Sequence, residues 1–228
     1  MIPKLKLYET LGPIKVWIVD GSYVRKNIDE EFTNFAQHES LSCVPENEFW
    51  IDRSTSEKEY PFYVEHMLLE HRLQKQGMTY EKAHEAACQK EEDERQSSQG
   101  DYAGRLHSGI AKKAHKELIW EKPGLQIWVV DGDLIRSTVD DDFTEGGHCE
   151  VYGKFIPKGE IWLDDENVKQ EDPFILLHEA YELSLMQGGA DYDSAHKRAS
   201  RVEHEAREDP QTVGGRIGLA LAAIKGAK

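Results

Sequence analysis

The stretch VWIVDGSYVRKNIDEEFT starting at Val16 returns as IWVVDGDLIRSTVDDDFT starting at Ile127. A chain that repeats itself at a nearly fixed register is constrained to fold as two similar units. Single-residue shifts aside, the match continues: PENEFWID from Pro45 lies on PKGEIWLD from Pro157, Pro61-Phe62 on Pro173-Phe174, and Gly104-Arg105 on Gly215-Arg216. With 228 residues, each half is long enough to enclose its own core. We read residues 1–112 and 113–228 as a tandem duplication.

Each copy reads as α+β. The apolar runs Val16 to Gly21 and Ile127 to Gly132 end in Asp-Gly, the pattern of a strand entering a turn, and the residues up to Arg25 or Arg136 suit a short helix. FWID and IWLD, anchored by Trp50 and Trp162, alternate as strands do, and the two strands of each copy are expected in one small antiparallel sheet. After Pro61 and Pro173 the period becomes helical, with Phe174, Leu177, Tyr181 and Leu185 marking one face. Gly77 and Gly188-Gly189 stop this helix, and Thr79 or Asp191 caps a second one that runs towards Arg95 or Arg207. Two helices joined by so few residues fold back as an αα-hairpin. Ser97 to Glu117 and Val213 to Lys228 are expected as closing helices.

Composition removes several functions. A net charge of -15 argues against binding nucleic acid, which rests on clustered Lys and Arg. No stretch approaches the roughly 20 apolar residues that cross a bilayer, and MIPKLKLYETLGPIKVW lacks the apolar core of a signal peptide. The expected setting is therefore cytoplasmic, with proteins or peptides as partners. Cys43, Cys88 and Cys149 form no CxxC pair, so neither a disulfide framework nor a thiolate zinc site is expected, and any metal would be held by His and carboxylate.

The second copy supplies such donors. His178 and Glu182 stand four apart on the first hairpin helix, and His196 and Glu203 stand seven apart on the second, so each pair shares a helix face. His66, Glu70, His84 and Glu91 occupy the same positions in the first copy. Two imidazoles and one carboxylate bind Zn2+ and leave a fourth position for water. That assigns His178, Glu182 and His196 as ligands, with Glu203 either a fourth ligand or the acceptor that fixes a ligand's tautomer. His66, Glu70 and His84, supported by Glu91, would repeat the set. Iron and manganese suit the same donors. The competing reading is a buried hydrogen-bond network or charged helix faces. His38 and His148 fall in corresponding loops at different offsets and read as poor ligand candidates, and Asp20-Gly21 and Asp131-Gly132 read as turns with Arg–Asp pairing.

His178 opens the string HEAYE, which resembles the HExxH helix of the zincin metallopeptidases, where the Glu after the first His is the general base for a metal-bound water. The resemblance implies that Glu179 is such a base in a metal-dependent, peptidase-like hydrolase. The motif departs from that family where Glu182 replaces the second His and His196 follows on the next helix. In the first copy Met67 stands in place of the base, which makes that copy a metal-binding or structural pseudo-copy. The alternative is a non-catalytic tandem module for metal binding or protein interaction. A dinuclear carboxylate bundle ranks behind both, because such proteins place Glu three residues before His, whereas here His precedes Glu by four.

Overall fold

The computed structural model describes residues 3–99, 109–140 and 142–225. In chain order the elements are β1 (Lys4–Leu11), β2 (Ile14–Val19), α1 (Gly21–Asn27), β3 (Phe35–Gln37), β4 (Glu48–Asp52), α2 (Tyr60–Lys75) and α3 (Tyr80–Gln99). There follow α4 (Ile110–Ala114), β5 (His115–Lys122), β6 (Leu125–Val130), α5 (Gly132–Thr138), β7 (Gly146–His148), β8 (Glu160–Asp164), α6 (Asp172–Gln187), α7 (Tyr192–Glu208) and α8 (Val213–Ala223). The chain forms two compact units, Met1–Leu106 with Arg136–Asp142, and His107–Ile135 with Phe143–Lys228. No helix among the described residues is long and apolar enough to cross a membrane.

A mixed α+β architecture holds in both units, but the sheets are not antiparallel as the sequence suggested. Their strand orders are β1-β2-β4-β3 and β5-β6-β8-β7, and the central pairs are parallel, Val16 facing Phe49 and Ile127 facing Ile161. Between β2 and β4 the chain runs through α1 and β3, long enough for the crossover that parallel strands require. β3 then returns antiparallel to β4, and β1 forms a hairpin with β2. β1 and β5 add an edge strand to each sheet beyond those expected, and their residues are largely exposed. Of the segment expected as a closing helix, 97–99 end α3, Ile110–Ala114 form α4 and His115–Glu117 lie in β5, while 100–108 fall outside the described residues. The second closing helix is present as α8.

Alternation along β2 sends Ile14, Val16 and Ile18 to the face covered by Tyr60, Tyr63, Val64 and Met67 of α2. Its opposite face packs Val19 and Trp50 with Val24, Phe32 and Val44. In the second unit Leu125, Ile127 and Ile161 meet Ala180 and Leu183 of α6, and Leu221 and Ile224 close over them. The α6 stripe differs from the expected one. Leu177 is buried, but Phe174, Tyr181 and Leu185 are half-buried while Ile175, Ala180 and Leu183 are fully enclosed. With a sheet, α7 and α8 all against α6, no single apolar stripe is needed, and Phe174 instead lies under the Arg207 guanidinium at 4.7 Å.

Candidate metal centres

The α6–α7 hairpin is fixed locally at its turn. Gly189 adopts φ +97, and the Ala190 N–H reaches back to the Leu185 carbonyl at 3.1 Å, so a left-handed residue ends α6. Two residues later Asp191 caps α7 by accepting from the Ser194 N–H at 2.9 Å. The antiparallel return brings His196 beside the His178–Glu182 pair. His178 Nε2 lies 3.1 Å from His196 Nδ1, His196 Nδ1 lies 2.8 Å from Glu182 Oε2, and His178 Nε2 lies 3.5 Å from Glu182 Oε2. Ligand atoms of a tetrahedral Zn2+ with bonds of about 2.0–2.1 Å are separated by about 3.3 Å. The three donors therefore already mark one face of such a polyhedron, and they form one of the groups able to hold a metal ion.

Glu203 stands behind this face. Its Oε2 accepts from His178 Nδ1 at 2.9 Å, the nitrogen opposite the one turned to Glu182, and its Oε1 receives Arg207 Nε and Nη2 at 2.9 and 2.6 Å. Arg207 continues to Glu171 through Nη1 at 2.7 Å. Such a carboxylate behind a ligand imidazole fixes its tautomer and leaves Nε2 to the centre. Electrostatics follow the geometry. Burial would lower the His178 pKa, but hydrogen bonds donated to Glu182 and Glu203 raise it well above the usual imidazole value. Burial would likewise raise Glu182, yet hydrogen bonds from His148, His178 and His196 hold it far below the ordinary carboxylate range. Positive charge on His178 thus balances these carboxylates.

Two further groups stand at this centre. His148, read from the sequence as a poor candidate, is fully buried on β7 and places Nε2 2.9 Å from Glu182 Oε1. Glu179, His148 and Glu182 form a second group of converging donors, and burial raises the Glu179 carboxyl above its usual range.

No family model, curated protein or solved structure matches the chain. Function therefore has to come from the site.

The first unit repeats the framework. His66 Nδ1 meets Glu91 Oε2 at 2.8 Å, His66 Nε2 faces His84 Nδ1 at 3.4 Å and Glu70 Oε2 at 3.6 Å, and Arg95 links Glu91 to Glu59. Glu70 is raised by burial, with His66, His84 and the Gln37 side chain pulling the other way. A buried carboxylate beside two imidazoles fits a cation. Cys88, one turn after His84, brings Sγ to 3.6 Å from His84 Nε2, and His66, His84 and Cys88 form a further donor group. This corrects the expectation that only His and carboxylate stand at the centres: a lone cysteine without a CxxC partner still meets a His at i+4 on a helix. The Glu-Arg pairs Glu91/Arg95 and Glu203/Arg207, and Glu59 and Glu171 just before the helical prolines, also escaped notice. Their signal is present in the sequence, since both units carry them at matching offsets.

Proposed function

We propose that the second unit is the catalytic centre of a metal-dependent hydrolase in which His178, Glu182 and His196 hold one divalent cation, Zn2+ being the best match to this donor set. The carrying observation is the trio of donor atoms at coordination-edge spacing, with His178 fixed from behind by Glu203, Arg207 and Glu171. Zn2+ on two imidazoles and one carboxylate keeps a position for water and lowers that water's pKa to about 7. Glu179, next in sequence to His178 and raised by burial, is the residue suited to take the proton. A carboxylate base with a raised pKa matches the needs of hydrolysis near neutrality, and peptides are the substrate class that the HEAYE resemblance favours.

In this reading the chain is a tandem duplication whose first unit binds metal without catalysing. Met67 stands where Glu179 stands and accepts no proton, and Phe35 packs edge-on against His66 at 5.3 Å. Elemental analysis of tag-free protein tests the metal, with two equivalents per chain expected. Absence of metal after supplementation with Zn2+, Mn2+ and Fe2+ returns both clusters to buried polar networks.

A further inference from the structure

Glu182 uses its two oxygens for different tasks. Oε2 faces the ring nitrogens of His196 and His178, at 2.8 and 3.5 Å, while Oε1 meets His148 Nε2 at 2.9 Å. The tautomer of His148 decides what this last contact is. Its Nδ1 accepts the backbone N–H of Glu150 at 3.2 Å, so the ring proton sits on Nε2 and is donated to Glu182. A nitrogen that carries this proton has no lone pair for a metal. Although His148 converges with Glu179 and Glu182 as a possible donor set, it acts on a ligand rather than being one.

The first unit has a looser form of this device. Gln37 faces Phe49 across its sheet as His148 faces Ile161, so the two residues hold the same register position. The Gln37 side chain does act on Glu70 and opposes the rise of its pKa, but neither end of the amide makes a hydrogen bond as close as that of His148 to Glu182. The reason lies two residues earlier. Where the second unit has Gly146, the first has Phe35, whose ring stacks on Tyr63 of α2 at 4.4 Å between centroids. A Cβ on Gly146 would fall 2.9 Å from both Ile175 Cγ2 of α6 and the Trp162 carbonyl. Glycine therefore permits the close approach of α6 to β7 that lets His148 reach Glu182.

We infer that His148 is a positioning residue: by occupying Oε1 it restricts Glu182 to one-oxygen ligation, so that a metal on His178, His196 and Glu182 would keep four ligands with water as the fourth. This rests on the metal reading above. A second carboxylate oxygen added beside the water would raise such a centre to five donors.

Co2+ loaded in place of Zn2+ provides the test, because its visible absorption is strong in four-coordinate sites and weak at higher coordination. In a His66→Ala/His84→Ala background, which confines the ion to the second unit, His148→Ala is expected to weaken the Co2+ band and to lower metal affinity about 10- to 100-fold, and His148→Gln, which keeps an amide donor, to restore the band. Circular dichroism monitors the fold. The reciprocal variant, Phe35→Gly/Gln37→His in a His178→Ala/His196→Ala background, is expected to strengthen the band of the first centre, and it decides the matter if His148→Ala does not fold. An unmoved spectrum in either folded variant overturns the role of His148 alone. Failure of Co2+ to bind the unaltered second centre overturns that role together with the metal reading.

Discussion

Arg207 donates Nη1 to Glu171 Oε2 at 2.7 Å and, through Nε and Nη2, holds Glu203 Oε1 on its other side. All three residues are buried, so this guanidinium is the charge that makes two enclosed carboxylates tolerable and, through Glu203, sets the orientation of His178. Removing one member of a buried ionic set typically costs about 3–5 kcal/mol because its partners stay behind uncompensated. Arg207→Met is expected to lower unfolding free energy by that order in urea titration, and Arg207→Lys by less, since lysine keeps the charge and loses the fork. Arg95→Met should behave alike through Glu59 and Glu91. A change under about 0.5 kcal/mol would place the arginines outside the framework.

Close packing at β7 makes a second expectation. Gly146→Ala adds a methyl against Ile175 and against a backbone carbonyl that cannot swing away. Overpacking of this kind costs about 1–3 kcal/mol, and the cheapest relief is withdrawal of α6. That movement would lengthen the His148–Glu182 contact, so loss of metal affinity should accompany loss of stability. Denaturant titration with a parallel competition assay against a metal chelator reads both, and a stable variant with parental affinity would show that the glycine has no role in positioning.

For Glu179 the two properties should separate. Folding buries its carboxyl and raises its pKa, which disfavours the charged form. Glu179→Gln keeps the shape and removes that charge, so the melting temperature is expected to stay level or rise while bound metal per chain is unchanged. Turnover of peptide and ester substrates should fall to background. Retained turnover would remove the base from the proposed mechanism.

Much of the hairpin was legible because helical spacing is local: the His178/Glu182 and His66/Glu70 pairs converge with His196 and His84 as four-residue steps dictate. What escaped was set by sheet pairing. His38 and His148 are histidines in similar loops, but strand register makes Gln37, one residue before His38, the counterpart of His148. The parallel β2–β4 pairing was hidden for a related reason. Alternation shows which face a strand buries and is silent on the direction of its neighbour. Neither the parallel pairing nor the approach of β7 to α6 has a signature within a single segment, and Gly146 became informative only beside Ile175.

His178 links metal binding to pH. In the metal-free protein its pKa lies well above 6.5, because hydrogen bonds to Glu182 and Glu203 outweigh the burial that opposes them. A group whose folded pKa is raised contributes stability that is complete below the unfolded value of 6.5 and is lost as pH rises through the folded pKa. A metal bound as proposed would replace that proton, so its binding would release protons and strengthen as pH increases. The two effects act in the same direction on the difference between loaded and stripped protein. The gap in melting temperature between Zn2+-loaded and chelator-treated samples is therefore expected to widen from about pH 6.5 upward, with about 3 kcal/mol of stabilisation per site at a free metal concentration 100-fold above Kd. His178→Ala removes both the titrating group and a ligand, and should flatten the contribution of the second centre while leaving that of His66, Glu70 and His84. A gap that stays constant or narrows with rising pH would show that the proton on His178 and the cation do not compete for one place.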